Sequence, residues 1–176
     1  MSDNGADQTG SNAPFRSGKG TVYEGGIRVP CIMRWPGQLE PGTTSQQVTS
    51  AQDLYPTIAA AAGVSLEPDQ TLDGKNVWVG LRDAQPQDHG PFIIAGSDMA
   101  IFDGDWKLIQ TLDGRLSLFN LKLDPREATN VWAANVEVGQ RLQRLLAESA
   151  IEFPSFAQRR SPGPGPNSGP WRPNPR

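Results

Sequence analysis

Gly18-Lys19-Gly20-Thr21-Val22-Tyr23-Glu24-Gly25-Gly26-Ile27-Arg28-Val29-Pro30, preceded by Met1-Ser2-Asp3-Asn4-Gly5, decides how the rest of this chain is read. The two stretches set an acid–amide pair and one lysine in glycine-rich surroundings. Oxygen donors of that kind suit a hard cation such as calcium or magnesium. A lysine between glycines can bring a point charge up to an anion with little steric hindrance. The pairing predicts a combined metal and oxyanion site.

Outward from there, residues 1–20 read as irregular, being rich in Ser, Asp, Asn, Gly and Thr without periodicity. The apolar run Val29–Trp35, closed by Pro36-Gly37, predicts a buried strand ending in a turn. A helix is expected from Asp53, read as its cap, to Gly63. Pro56 falls in its first turn, and Leu54, Ile58, Ala61 and Ala62 form an apolar face. From Pro91 the pattern becomes short runs: Phe92–Ala95, Ala100–Phe102, Trp106–Thr111 and Leu116–Asn120. Gly96-Ser97-Asp98, Asp103-Gly104-Asp105 and Leu112-Asp113-Gly114 separate them, which predicts an antiparallel meander. Residues 137–151 give a second helix with Val138, Leu142, Leu145, Leu146 and Ile151 near one face. A meander followed by one helix is a small α+β layer, the helix covering one sheet face. The Pro/Gly/Arg-rich stretch 153–176 has nothing to bury and is expected to be disordered.

Composition narrows the function classes. Of 176 residues, 36% are hydrophobic and 35 are Gly or Pro, the mark of a loop-rich domain. The net charge is −3, but four arginines and no acid lie in 153–176, so the first 152 residues carry −7. An acidic folded part argues against general nucleic-acid binding. A single cysteine, Cys31, excludes an internal disulfide and any multi-cysteine zinc site. No run of some twenty apolar residues is present to span a membrane. The first thirty residues also lack the order of a signal peptide. Any such signal is expected upstream.

Asp3-Asn4-Gly5 alone would read as an Asx turn. Its downstream context says more. Asn12-x-Pro14-x-Arg16-x-Gly18-Lys19-Gly20-Thr21-x-Tyr23-Glu24-Gly25-Gly26-x-Arg28-Val29-Pro30 and Arg34-Trp35-Pro36-Gly37 follow in order. Then come Asp53-Leu54-x-Pro56-Thr57, Leu72-Asp73-Gly74, Asp105-Trp106-Lys107-Leu108-Ile109 and Asp124-Pro125-x-Glu127-x-Thr129-Asn130. Over roughly residues 2–150 this series resembles the carboxy-terminal portion of a sulfatase. The resemblance implies an α/β fold of the alkaline-phosphatase-like class. Residues 1–88 would end the catalytic domain, and 89–152 would form a small α+β subdomain with an antiparallel sheet and one packing helix. It implies that Asp3 and Asn4 ligate a divalent cation, usually calcium, and that Lys19 contacts the sulfate. The implied partners are a sulfated small molecule or glycan as substrate, and the upstream half of the catalytic domain. A sulfate ester needs its non-bridging charge neutralised, and a cation plus a lysine does so without proton transfer.

The family's nucleophile is a formylglycine made in a Cys/Ser-x-Pro-x-Arg sequence. Cys31-Ile32-Met33-Arg34-Trp35 lacks that pattern, and Cys31 reads as a buried strand thiol. Ser168-Gly169-Pro170-Trp171-Arg172 matches the serine form. A tail of 24 residues with seven Pro and four Arg yields such a match readily, so it is read as coincidence. The chain alone is therefore expected to be inactive. Glu24 is expected to hold backbone amides and Arg28 to pair with an acid. His89, the one histidine, reads as an exposed spectator, and Trp35, Trp78, Trp106 and Trp132 as core. The rival readings are a related phosphomonoester or phosphonate hydrolase and a non-enzymatic truncated product.

Overall fold

The computed structural model describes residues 1–7, 9–67, 69–96 and 98–150. Ile151 and the stretch 153–176, with the Ser168 motif, lie outside the described residues.

Four consecutive strands form one antiparallel sheet in chain order: β1 (Phe92–Ala95), β2 (Met99–Asp103), β3 (Trp106–Gln110) and β4 (Leu116–Asn120). Ile101 pairs with Leu108, and Leu108 with Leu118. The expected meander is present, because period-2 alternation and local turns suffice to specify hairpins. Gly104 opens the two-residue β2–β3 loop at φ 56°, a backbone that glycine adopts without strain.

Both faces of the sheet are covered. On one, Met99, Ile101, Leu108 and Leu118 meet Leu142 and Leu146 of helix α4 (Val136–Ala150). On the other, Ala100, Phe102, Ile109 and Phe119 meet Val22, with Tyr23 and Ile27 against them. Tyr23 sits edge-on to Phe119 at 6.4 Å between centroids. Those residues flank and include α1, a single turn spanning Glu24–Ile27. The expected helix thus covers one face, and the glycine-rich opening segment covers the other. Gly139, inside α4, gives room to Trp132: a Cβ there would lie 2.6 Å from the indole ring.

Helix α2 is Leu54–Ala61, preceded by a 3-10 turn at Ala51–Asp53. Gly63 at φ 70° closes it, with Val64 N–H bonded to Ala59 O and Gly63 N–H to Ala60 O. Asp53 stands at its N-cap, as expected, but its side chain makes no cap hydrogen bond to the helix. The Asp53 carboxylate accepts from the Ser50 amide and hydroxyl in a reciprocal box around the 3-10 turn. The expected apolar face of α2 is not the buried one, since Pro56 and Thr57 are buried and Ile58 is 63% exposed. The stretch around Trp78 is helical: α3 spans Trp78–Arg82.

Val29–Trp35 is not a strand. Ile32 is 88% exposed, Cys31 is exposed rather than buried, and Trp35 is half-exposed against Trp78. Among the described residues the backbone of 29–34 takes part in one bond, Ser2 N–H to Pro30 O at 3.4 Å. A strand needs a neighbour to pair its amides, and none is present for this run.

Candidate functional site

The loop of residues 2–20 is a wound backbone held by short polar ties. Asn12 clamps the Ala6 peptide from both sides, Oδ1 accepting Ala6 N–H at 2.7 Å and Nδ2 donating to Ala6 O at 2.8 Å. Lys19 N–H donates to that same Ala6 oxygen at 3.0 Å. Gly5 N–H reaches Gly26 O at 2.9 Å, and Gly25 N–H reaches Arg16 O at 2.9 Å. These ties bring the backbone of Lys19 to within two residues of Asn4.

Two of the glycines are explained by this winding rather than by access for an anion. A Cβ on Gly5 would fall 1.8 Å from Gly25 O, and one on Gly25 would fall 2.4 Å from Arg16 O and Ser17 O. Only a hydrogen fits at such crossings.

Asp3 and Asn4 stand side by side, Asn4 Nδ2 donating to Asp3 Oδ2 at 2.7 Å. Asp3 is exposed and Asn4 half-buried. Lys19 is exposed, and its charge is one of the smaller influences holding Asp7 below the usual carboxylate range, after the hydrogen bonds from Thr9. A carboxylate and an amide oxygen are hard donors and fit part of a calcium shell, which takes about six to eight oxygens. Among the described residues no group of three or more His, Cys, Asp or Glu could complete it.

Beneath this loop lies a buried ion cluster. Lys107 on β3 is fully buried, its Nζ 3.0 Å from Glu24 Oε1 and 2.7 Å from Glu127 Oε1. The second contact is a close ion pair between two fully buried groups. Glu127 Oε2 accepts the Glu24 amide at 2.7 Å, and the Glu127 carbonyl accepts from Arg16 Nη1 at 2.9 Å. Arg28 approaches Glu24 Oε2 at 3.5 Å. Glu24 therefore meets two cations instead of holding amides; the amide-binding carboxylate is that of Glu127. Burial pushes the Glu127 carboxyl above its ordinary range, opposed by the Lys107 charge. Strand parity puts Lys107 on the same side as Ile109, which was readable. Its acidic partners, 83 residues upstream in the case of Glu24, were not.

His89 is buried, not a spectator. Its Nε2 lies 2.9 Å from Asp53 Oδ2, its ring sits edge-on to Phe92 at 4.9 Å, and Lys75 Nζ donates to its carbonyl at 2.5 Å. Burial raises the Asp53 carboxyl, but the Lys75 and Ser50 amides, the Ser50 hydroxyl and the His89 ring together hold it below its ordinary value.

Comparison with known proteins gives one consistent relationship. The family Sulfatase matches residues 1–64. Mouse (Mus musculus) steryl-sulfatase is 48% identical over 81 residues, covering 46% of this chain and 13% of that protein. Dog (Canis lupus familiaris) N-acetylgalactosamine-6-sulfatase is 38% identical over 113 residues, 60% of this chain and 22% of that protein. The crystal structure of Ps i-CgsB superposes at a TM-score of 0.75 with 32% identity, over 83% of this chain and 34% of that one. The chain thus spans about a third or less of the length of each of these three proteins.

Proposed function

We propose that this chain, which belongs to the sulfatase family as a carboxy-terminal portion of the alkaline-phosphatase-like α/β fold, serves in the hydrolysis of a sulfate ester. In this reading residues 1–88 end the catalytic domain and 89–152 form its α+β subdomain. Asp3 and Asn4 donate oxygens to a divalent cation, for which calcium is the best fit to hard, neutral-plus-anionic donors. A cation bound there supplies neutralisation of the sulfate oxygens. Lys19 holds a further non-bridging oxygen as a point charge on an exposed turn. The substrate is a sulfated small molecule or glycan.

The observation that supports this reading is the bond from Lys19 N–H to Ala6 O, which brings the backbone of Lys19 to within two residues of Asn4 although fourteen residues lie between them in the sequence. Amide-resolved NMR titration of the chain tests it. Calcium should shift Asn4 and Gly5, weakly and not in Asp3→Ala. Sulfate should shift Lys19 and Gly20, and not in Lys19→Ala. Shifts absent at those amides, or unchanged in the variants, refute the assignment.

A further inference from the structure

The buried ion cluster is connected to the loop above it in a way that packing alone does not require. Glu127 makes contact through every polar group it has beyond its own amide. Its carboxylate takes the Glu24 amide and faces Lys107, and its carbonyl takes the Arg16 guanidinium. Each of those contacts leads one step further, into the candidate site. Arg16 O accepts Gly25 N–H, and Gly26 O, in the turn that Glu24 opens, accepts Gly5 N–H beside Asn4. The Arg16 guanidinium also stacks on Tyr23 at 4.1 Å, which fixes the direction of the 16–19 stretch.

Two features of Glu127 set it apart from an ordinary core residue. It has φ 54°, a left-handed backbone that glycine or asparagine takes at lower cost than glutamate. It is also fully buried with charged neighbours, an arrangement that an apolar replacement of similar volume often equals or betters in stability. A strained, desolvated glutamate is a poor way to gain stability. It is a good way to fix geometry, because each contact has a single direction.

We propose that Glu127, acting with Lys107, is a positioning residue for the Asp3–Asn4–Lys19 site: it sets the Glu24 turn and the Arg16 strap on which that loop is wound. The proposal rests on the functional reading above for what the loop does, but not for how the loop is held. It assigns to the sheet subdomain a direct part in the geometry of a site that lies about a hundred residues earlier in the chain.

Hydrogen exchange on the intact chain, which needs no ligand, separates this from a general structural role. Glu127→Gln keeps the shape and removes the charge; Lys107→Met removes the facing cation. Leu146→Ala is the control, since it damages the core on the opposite face of the sheet. Relative to a Leu146→Ala protein brought to equal global stability with denaturant, the Gly5, Lys19 and Gly25 amides should exchange about tenfold faster in Glu127→Gln. The β2 and β3 amides should match. If Lys107→Met does not fold, Glu127→Gln decides. Equal exchange of the three loop amides in variant and control overturns the proposal. A second readout is the calcium-induced shift at Asn4, which should weaken in Glu127→Gln and not in Leu146→Ala. A shift that weakens equally in both overturns positioning, whereas no shift in the unaltered chain speaks against the metal reading and leaves the exchange result to decide this one.

Discussion

His89 and Asp53 form a hydrogen-bonded pair sealed from solvent, ring Nε2 to carboxylate Oδ2 at 2.9 Å, across 36 residues of sequence. The pair ties the turn before α2 to the segment entering β1, and Phe92 against the ring continues into Phe102 stacked at 4.6 Å. His89→Ala should cost about 1–3 kcal/mol, because it removes one donor from a buried carboxylate and the ring edge from Phe92. Urea denaturation followed by circular dichroism checks this. A midpoint equal to that of the unaltered chain would show that the pair contributes nothing.

Acid response should divide between two carboxylates of opposite sign. Asp53 sits below its ordinary 3.8 in the fold, so its contribution is complete above that pH and disappears as pH falls through the folded value. Glu127 sits above its ordinary 4.5, so its contribution is complete below that pH and is lost as pH rises through the folded value. Stability measured from pH 3 to 7 should lose its steepest acid limb in Asp53→Asn. It should lose its decline above pH 4.5 in Glu127→Gln. Profiles parallel to the unaltered protein in both variants would contradict the assignment.

Gly139→Ala should destabilise despite the better helix propensity of alanine, worth about 1 kcal/mol at an interior position. The new methyl would meet the Trp132 indole at 2.6 Å, and that ring is packed against the α4 core and has little room to retreat. A net loss of about 1–2 kcal/mol is expected, the overpacking exceeding the propensity gain. A thermal midpoint that rises would mean that the indole moves freely.

The purified chain should not turn over a generic aryl sulfate with calcium present. A lysine and two hard oxygen donors supply no nucleophile, and Cys31 is followed by neither the proline nor the arginine of a Cys-x-Pro-x-Arg sequence. Turnover abolished by Ser168→Ala would show that the tail match is real.

In an enzyme that carries this sequence together with the rest of a sulfatase catalytic domain, Lys19→Ala should lower kcat about 10²–10³-fold. Removing residues 153–176 should leave kcat nearly unchanged, since that stretch has no apolar periodicity. Steady-state kinetics on the two proteins decides. A Lys19→Ala enzyme at full rate would remove the lysine from the site.

What the sequence displayed and what it hid follow from the range of the interactions. The meander and α4 were legible because alternation, Asp-Gly turns and a helical stripe are written within fifteen residues of themselves. Val29–Trp35 misled because a strand-like run acquires a strand's burial only from a neighbour. His89 misled for the reverse reason: Gln87-Asp88-His89-Gly90 reads as a solvated loop, and nothing local marks Asp53, 36 residues earlier, as its partner. The backbone tie between Lys19 and Ala6 was not legible, since the Asn12 clamp around the same Ala6 peptide is one amide in a featureless segment.

The double cover of the sheet bears on how the chain could be dissected. Val22, Tyr23 and Ile27, from the opening segment, pack with Phe102 and Phe119 alongside Phe92, Ile94 and Leu121 of the sheet region itself. A gene cut between residues 27 and 92 would release a meander without the cover of Val22, Tyr23 and Ile27, and an amino-terminal piece deprived of the lysine that balances Glu24. The two stretches differ in character and in pattern, yet each covers or neutralises what the other would leave exposed.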